Sequence, residues 1–572
     1  MPDLSQLSPY VFPLKGGLIL DQSIFGMEPG MALELENFEP DTKGGYRRIN
    51  GYNKWAEKVV PYTAADTEKV LMSAFWGDTL EVLAARGESI YRSTSAATTL
   101  NGTHTDSITT LTVVSTAGFT TTGTLVIGTE QITYTGVAAT TFTGCTRGAN
   151  STTAVAQADA AVVDQQWTSI DSGRTSASRY TLFRYNLAGT DYIIWADGAN
   201  NASYWDGTTV VDVSAAGAPS NPKHVTFYKD HMFYGGMSAN AQEVVFSEPF
   251  APNAFTAGNG AGSFLIDTKI TGLIPFRDAL YIFGEDRIYK LTGTSLENFE
   301  VVPITRQIGC RNGETIQEFA GDIVFLGPDG LRTIAGTAKI DDVELGTISK
   351  AVQRLFEDKT SAGDYIATVI PEKTQYRLIF SDSTVAEAQT TGVICSRKIQ
   401  GEYEFATTKG IRPSCADSHT YSSTNYILHG GFDGYVYRDE QGNSFDGTNI
   451  IGRYRSPDIT MGDAGIRKAF QRILIQYAPE GIVNSDLFLR YDYEDINTPR
   501  PAAYPFDSTK VVALYGAGLY GASTYGAQSN PLVRQPIEGS GFAVALRVVD
   551  NGASAPYSLK GFQLEYSISA RR

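Results

Sequence analysis

Five histidines, His104, His224, His231, His419 and His429, bound the metal and acid–base chemistry open to this chain. None stands in an H-E-x-x-H pattern, and no pair has the i, i+4 helical spacing of a zinc site. His224 and His231 flank one expected strand, so a shared metal is not expected. No G-x-S-x-G elbow is present. A Ser-His-Asp triad is assembled in space rather than in sequence, and nothing here points to one. Gly258-Asn259-Gly260-Ala261-Gly262-Ser263 is rich in glycine but lacks the lysine of a phosphate loop. A strand follows it where a helix is needed, so it reads as a turn. Asp439 to Asp446 is acidic, yet it lacks the ligand spacing and closing glutamate of a calcium loop. A glycosidase needs two carboxylates a few ångström apart. Asp278, Asp286, Glu318 and Asp433 are candidates, but each falls at an expected blade turn, where acidic residues are common. The expectation is a protein without catalytic residues, metal or cofactor.

The elements that would carry these residues are repeated hairpins. One copy runs from Phe75-Trp76-Gly77-Asp78 through Leu80, Val82 and Ala84, turns at Arg86-Gly87 and returns at Ile90-Tyr91. Another runs from Phe276-Arg277-Asp278 through Ala279 to Phe283, turns at Gly284-Glu285-Asp286 and returns at Ile288 to Leu291. Weaker copies centre on Tyr192–Ile194, Met232–Tyr234, Ile323–Leu326, Tyr376–Phe380 and Tyr426–His429. Past the first interval they recur every ~40–50 residues, the period of a propeller blade. Asp-Gly pairs at 197–198, 206–207, 329–330, 433–434 and 446–447 are expected to form type I′ hairpin turns. The single expected helix is 349–356, with Val352, Leu355 and Phe356 on one face and Ser349 as a candidate N-cap.

The chain has 572 residues, 42% hydrophobic and 19% charged, with 57 Gly and 31 Tyr. That suits many tight turns and aromatic strands. A net charge of −16 excludes a basic, sequence-reading nucleic-acid binder. Cys145, Cys310, Cys395 and Cys415 form no C-x-x-C pair and are expected to be buried thiols of a protein made in a reducing cytoplasm. Met1-Pro2-Asp3-Leu4 opens without a basic segment and apolar run, so no signal peptide is expected. No apolar run is long enough to span a bilayer as a helix.

The expected class is all-β: a β-propeller with an inserted small β module and a C-terminal β-sandwich or platform. Residues 1–60 form an N-terminal arm without blade character, with a tight turn at Gly44-Gly45. Residues 61–94 and 166–447 form the propeller. Residues 95–165, rich in Thr, Ala and Gly, form the inserted module, with Phe119, Tyr134 and Phe142 as core candidates. Residues 448–572 have longer alternating strands, as in Leu487-Leu489-Tyr491-Tyr493, and a Tyr-Gly tract over 514–526.

Two stretches carry a family resemblance. The arm, from Pro29-Gly30 through Glu36-Asn37-Phe38-Glu39-Pro40 to Gly44-Gly45-Tyr46-Arg47-Arg48-Ile49-Asn50-Gly51-Tyr52, resembles the opening of tail proteins of tailed bacteriophages. The end, Gly539 to Phe542 and Lys560-Gly561-Phe562-Gln563-Leu564-Glu565-Tyr566 before Arg571-Arg572, resembles the close of the same proteins. The module, with Gly123 to Gly128 and Thr146-Arg147-Gly148, is similar to small β modules of phage tails and fibres. The layout resembles the tail nozzle, or tail tubular protein B, of short-tailed phages.

That resemblance implies a homohexameric ring at the tail tip, docked on an adaptor ring, reached by tail fibres or spikes and meeting the host envelope indirectly. It implies a virion protein, made in the host cytoplasm, that retains double-stranded DNA and then conducts it without reading its sequence. Tyr46, Arg47 and Arg48 are expected at a partner interface, since Tyr and Arg anchor interfaces and an arm without its own core must dock. Local packing within the chain's own platform is the other reading of these three residues. The alternative function is a receptor- or glycan-binding propeller of a phage tail. For a conduit, the expected lumen is lined by Asp, Glu, Ser, Thr and Gly, with closure by loops rather than by DNA binding.

Overall fold

The continuous apolar run Ala279–Gly284 is buried on both sides. Leu280 and Ile282 pack against Phe233 and Phe246 of the preceding sheet, while Phe283 packs against Phe325 of the next. Strands buried on both faces lose the polar alternation of a half-buried strand, which is why the hairpin repeats read as unbroken hydrophobic runs. This packing of sheet against sheet repeats around a ring. The computed structural model describes residues 7–55, 59–61, 69–77, 80–149, 152–175, 179–336, 346–357, 364–382, 384–398, 401–494, 500–507, 532–550, 552 and 554–571.

The chain is an all-β propeller protein. The innermost blade strands, in ring order, are Met72–Phe75, Thr181–Leu187, His224–Tyr228, Ile270–Phe276, Gln317–Phe319, Asp364–Ile370 and Pro413–Tyr421. Each opens its own sheet, which makes seven blades among the described residues. The ring closes where Pro413–Tyr421 lies beside Met72–Phe75, over a core of Val70, Phe75, Trp167, Cys415 and Leu428. The last blade also takes in Tyr52–Lys54, which pairs Tyr437↔Lys54 and Phe445↔Tyr52. Here the arm does have blade character, because an outer blade edge accepts any strand that satisfies its open hydrogen bonds.

The first blade carries the inserted module on two of its own strands. Ser89–Thr99 and Val162–Asp171 pair with each other and run out of the blade, where Val162–Asp171 pairs with Gly123–Ile127 and that strand with Glu130–Tyr134. The module has a separate core of Leu111, Val113, Leu125, Ile132, Tyr134 and Phe142, with Phe119 packed against it. A variant in which Asn-Gly replaces residues 98–163, closing the hairpin at the Ala97–Asp164 pair, is expected to fold and to keep the thermal transition of the remaining chain. Insoluble product from that variant would refute the module's independence.

The C-terminal strands form a sandwich of two sheets that share one core with the arm. One sheet runs Phe38–Pro40, Tyr46–Arg48, Tyr557–Arg571, Ile466–Pro479, Leu532–Pro536, with Ser8–Pro13 also pairing the long terminal strand. The other continues the sixth blade outward: Asp364–Ile370, Gln375–Ser381, Thr391–Arg397, Tyr403–Lys409, then Glu34–Glu36, Gly452–Arg455, Val544–Asp550, Asn484–Tyr491 and Tyr504–Asp507. Asn484–Tyr491 alternates strictly, with Leu487, Leu489 and Tyr491 facing the shared core.

Two local expectations are corrected. Of the Asp-Gly pairs, only Asp446-Gly447 has positive φ at both residues, as type I′ requires. Asp197 and Asp206 instead accept backbone N–H groups two and three residues on, which leaves only the glycine left-handed. The expected helix is two short pieces, a 3-10 turn at Lys350–Val352 and one α turn at Arg354–Glu357. Ser349 does not cap it: its Oγ accepts from Leu331 N–H at 2.9 Å. Val352 and Phe356 are buried as expected. The Tyr-Gly tract 514–526 lies outside the described residues.

Candidate functional site

The arm hairpin Phe38–Pro40 and Tyr46–Arg48 docks on the terminal strand, Tyr46 opposite Leu559 and Arg47 opposite Ser558. Period-two alternation then sends Tyr46 and Arg48 to one face and Arg47 to the other. Tyr46 is fully buried against Tyr454. Its hydroxyl accepts from Gly17 N–H at 3.0 Å and lies 2.8 Å from the Gly30 carbonyl, so it ties the first turns of the arm together.

Arg48 is also fully buried. It donates to the carbonyls of Ser554 at 2.7 Å, Asn443 at 3.0 Å and Gly552 at 3.1 Å, and its Nε stands 3.2 Å from Asp550 Oδ2. Burial pushes this guanidinium down and the Asp550 carboxyl up, and each charge opposes the other's shift. The interface expectation for Tyr46 and Arg48 is therefore corrected: both are internal braces of the platform, and neither reaches a surface that a partner could touch.

Arg47 faces a network of three acids and three bases. It holds Glu480 through two bonds of 2.6 and 2.7 Å and reaches Glu39 at 3.1 Å. Glu39 also takes Lys373 at 2.6 Å and Arg377 at 2.8 Å, while Arg377 reaches Glu440 at 2.7 Å. Asn50 bridges Arg47 and Glu440. The network joins the arm to the sixth blade, the seventh blade and the C-terminal sandwich. Beside it lies a cavity of about 420 Å³, lined in part by Asp41, Lys43, Gln375 and Lys560.

Burial alone would raise the Glu440 carboxyl, but Arg377, Lys373 and Arg47 overcome it and hold the group well below the usual range. Asp41 is likewise lowered against its burial by Lys560 and Ser558. A carboxylate with a depressed folded pKa contributes stability that is complete above its unfolded value, about 4, and is lost as pH falls. The urea midpoint is expected to fall between pH 5 and pH 3, and Glu440→Gln is expected to be less stable at pH 7 with a flatter pH profile. Parallel profiles for both proteins would contradict this account.

The other candidates are dispersed. Asp278 is exposed on a turn with Lys229 at 3.7 Å, Asp286 accepts from Thr268, Asp433 accepts from Tyr437 and Glu318 is exposed on its strand. His104 belongs to the module, where its Nε2 accepts from Thr112 N–H at 2.9 Å. His224 and His231 lie at opposite ends of one hairpin. His419 stacks on Phe75, and His429 lies 2.6 Å from Asp439. Among the described residues no group of three or more His, Cys, Asp or Glu could hold a metal. All four cysteines are buried and unpaired, and burial pushes the Cys310 thiol up to about 11. No helix among the described residues is long and apolar enough to cross a membrane.

No family model matches the chain, and no curated protein matches it. Among solved structures, Hsv2 of Kluyveromyces lactis is similar at 8% identity and a TM-score of 0.26, over 60% of this chain and 99% of that one. The computationally designed Ika8 protein is similar at 10% identity and a TM-score of 0.28, over 60% of this chain and 97% of that one. These likenesses are too distant to speak to function.

Two features escaped sequence reasoning. The charge network is invisible because its arm members Glu39, Arg47 and Asn50 lie hundreds of residues from Lys373, Arg377, Glu440 and Glu480. A row of cations, by contrast, leaves a periodic trace: Arg179, Lys223, Lys269 and Arg311 stand 44, 46 and 42 residues apart.

Proposed function

We propose that this chain is a structural protein of a phage tail nozzle, a homo-oligomeric ring that docks on an adaptor ring and lets DNA pass without reading it. One observation carries the reading. The two stretches that resemble tail proteins, near each end of the sequence, meet in a single sheet: the hairpin of Phe38–Pro40 and Tyr46–Arg48 pairs with Tyr557–Arg571 at Tyr46↔Leu559 and Arg47↔Ser558, and Lys560 reaches Asp41 at 2.7 Å. The resemblance thus describes one object, a platform, rather than two unrelated ends. The propeller is joined to that platform by a continuous sheet, which suits a subunit that must hold its shape under load.

The acidic balance supports the conduit reading, since a polyanion is retained by whatever neutralises its phosphates. Mass photometry of the purified protein, alone and with its adaptor, tests the proposal. A closed ring, hexameric by the resemblance, is the expected result, and a monomer under both conditions would overturn it. The ring is also expected to bind duplex DNA weakly even at low salt. Retention as tight as a specific binder's would refute passage without holding.

A further inference from the structure

The propeller face on which the innermost strands begin holds a cavity of about 910 Å³. Five cations line it: Lys69, Arg179, Lys223, Lys269 and Arg311. Each stands shortly before an innermost strand, in successive blades from the first to the fifth. Three carboxylates answer them. Glu285 pairs with Lys269 at 3.1 Å and Asp364 with Arg179 at 3.0 Å, and Glu314 is the third. Two positive charges are left over, in a chain whose net charge is −16. Among the described residues Lys223 has no carboxylate partner.

The second observation is His224. Its side chain lines the cavity, is 6% exposed, and has no hydrogen bond among the described residues. Two glycines make room for the ring: a Cβ at Gly236 would stand 2.8 Å from its Cδ2, and one at Gly313 would stand 3.2 Å from its Cε1. Burial, with Lys223 adjacent, lowers its pKa to about 3, so the ring is neutral and offers one N–H donor and one acceptor. A buried imidazole left without a partner among the described residues and set among lysines suits an anionic oxygen that is not part of the chain.

We propose that this cavity binds a small, multiply charged phosphate compound, with Lys223 and Lys69 neutralising the phosphate and His224 donating to one of its oxygens. The arginines argue for phosphate over carboxylate. Arg179 is already committed to the Tyr365 carbonyl and Asp364, and Arg311 to the Pro328 carbonyl. The uncommitted charge therefore sits on lysines, which act as point charges rather than as the planar fork that matches a carboxylate. The volume is that of a small-ligand pocket, not of a groove for a polymer. This site is separate from the platform and does not depend on the nozzle reading.

Isothermal titration with inorganic tripolyphosphate and, separately, glucose 6-phosphate at low salt tests the proposal. One tripolyphosphate per chain is expected, with Lys223→Glu weakening binding at least about tenfold and His224→Asn about threefold or more. Lys350→Glu, the same charge change on an exposed lysine elsewhere, is expected to leave affinity unchanged. Lys69→Glu, at the other lysine assigned to the phosphate and at a partly exposed position, supplies the same test should Lys223→Glu fail to fold. Glucose 6-phosphate binding within tenfold of tripolyphosphate would assign the site to sugar phosphates, and its failure to bind would assign it to oligophosphates. No saturable binding up to about 1 mM, or equal weakening by Lys350→Glu, would overturn the proposal.

Discussion

Arg48→Ala is expected to lower stability by about 3–5 kcal/mol, because it leaves the Asp550 carboxylate and three backbone carbonyls buried without their cation. The measurement is the urea midpoint at pH 7. The pair itself need not be a net stabiliser, since both members pay for leaving water. Arg48→Met combined with Asp550→Leu is therefore expected to recover the carboxylate's share of the loss but not that of the three carbonyls, and a cycle over the parent protein, Arg48→Met, Asp550→Leu and the double variant isolates the coupling. Arg47→Ala leaves a more accessible cation missing from a network that keeps Lys373 and Arg377 on Glu39, so its cost should be smaller. An Arg47/Arg48 double variant that fails to assemble would thus report a damaged platform before it reported a lost contact. A wild-type midpoint for Arg48→Ala would refute the bracing role.

Gly45→Ala is the second large expected effect. Gly44 and Gly45 both have φ near +84°, at +83° and +84°, so either substitution meets the left-handed region that a Cβ disfavours. Only at Gly45 is there also no room, since an added Cβ would lie 2.0 Å from the Leu559 carbonyl oxygen, whereas nothing lies within 4 Å at Gly44. That carbonyl belongs to the terminal strand's backbone and cannot swing away, so the hairpin must lift off or distort. Gly44→Ala is expected to cost about 1 kcal/mol and Gly45→Ala about 3 kcal/mol or more. Comparable thermal shifts for the two variants would show that the close approach carries no energy.

The blade rhythm was legible because each blade is built from neighbouring hairpins, whose turns and apolar runs recur at a fixed period. The same locality exposed the module, whose Tyr134 and Phe142 sit in its own core. What could not be read was pairing at long range. Glu36 pairs with Thr407, and Arg48 meets Asp550, across hundreds of residues of sequence. Side-chain type gave the wrong sense for Tyr46 and Arg48, because aromatics and arginines anchor the inside of a platform as readily as a boundary between subunits. The expected helix failed for a simpler reason: its apolar face is correct, but Ser349 Oγ is taken by Leu331 and only short helical turns remain. The cation row required knowing where each innermost strand starts, which the period alone does not give.

The sheet that joins Ser8–Pro13 and Tyr46–Arg48 to Tyr557–Arg571 has a consequence for synthesis. A ribosome extends a chain at about 5–20 residues per second, so the arm waits roughly half a minute to two minutes before its partner strand emerges. Throughout that interval the blades can close one after another from local contacts, while the arm strands present open edges able to pair with any neighbouring copy. Newly made chains crowded on one message are then the competing partners, so shelter of the arm during translation matters to the platform alongside its final contacts.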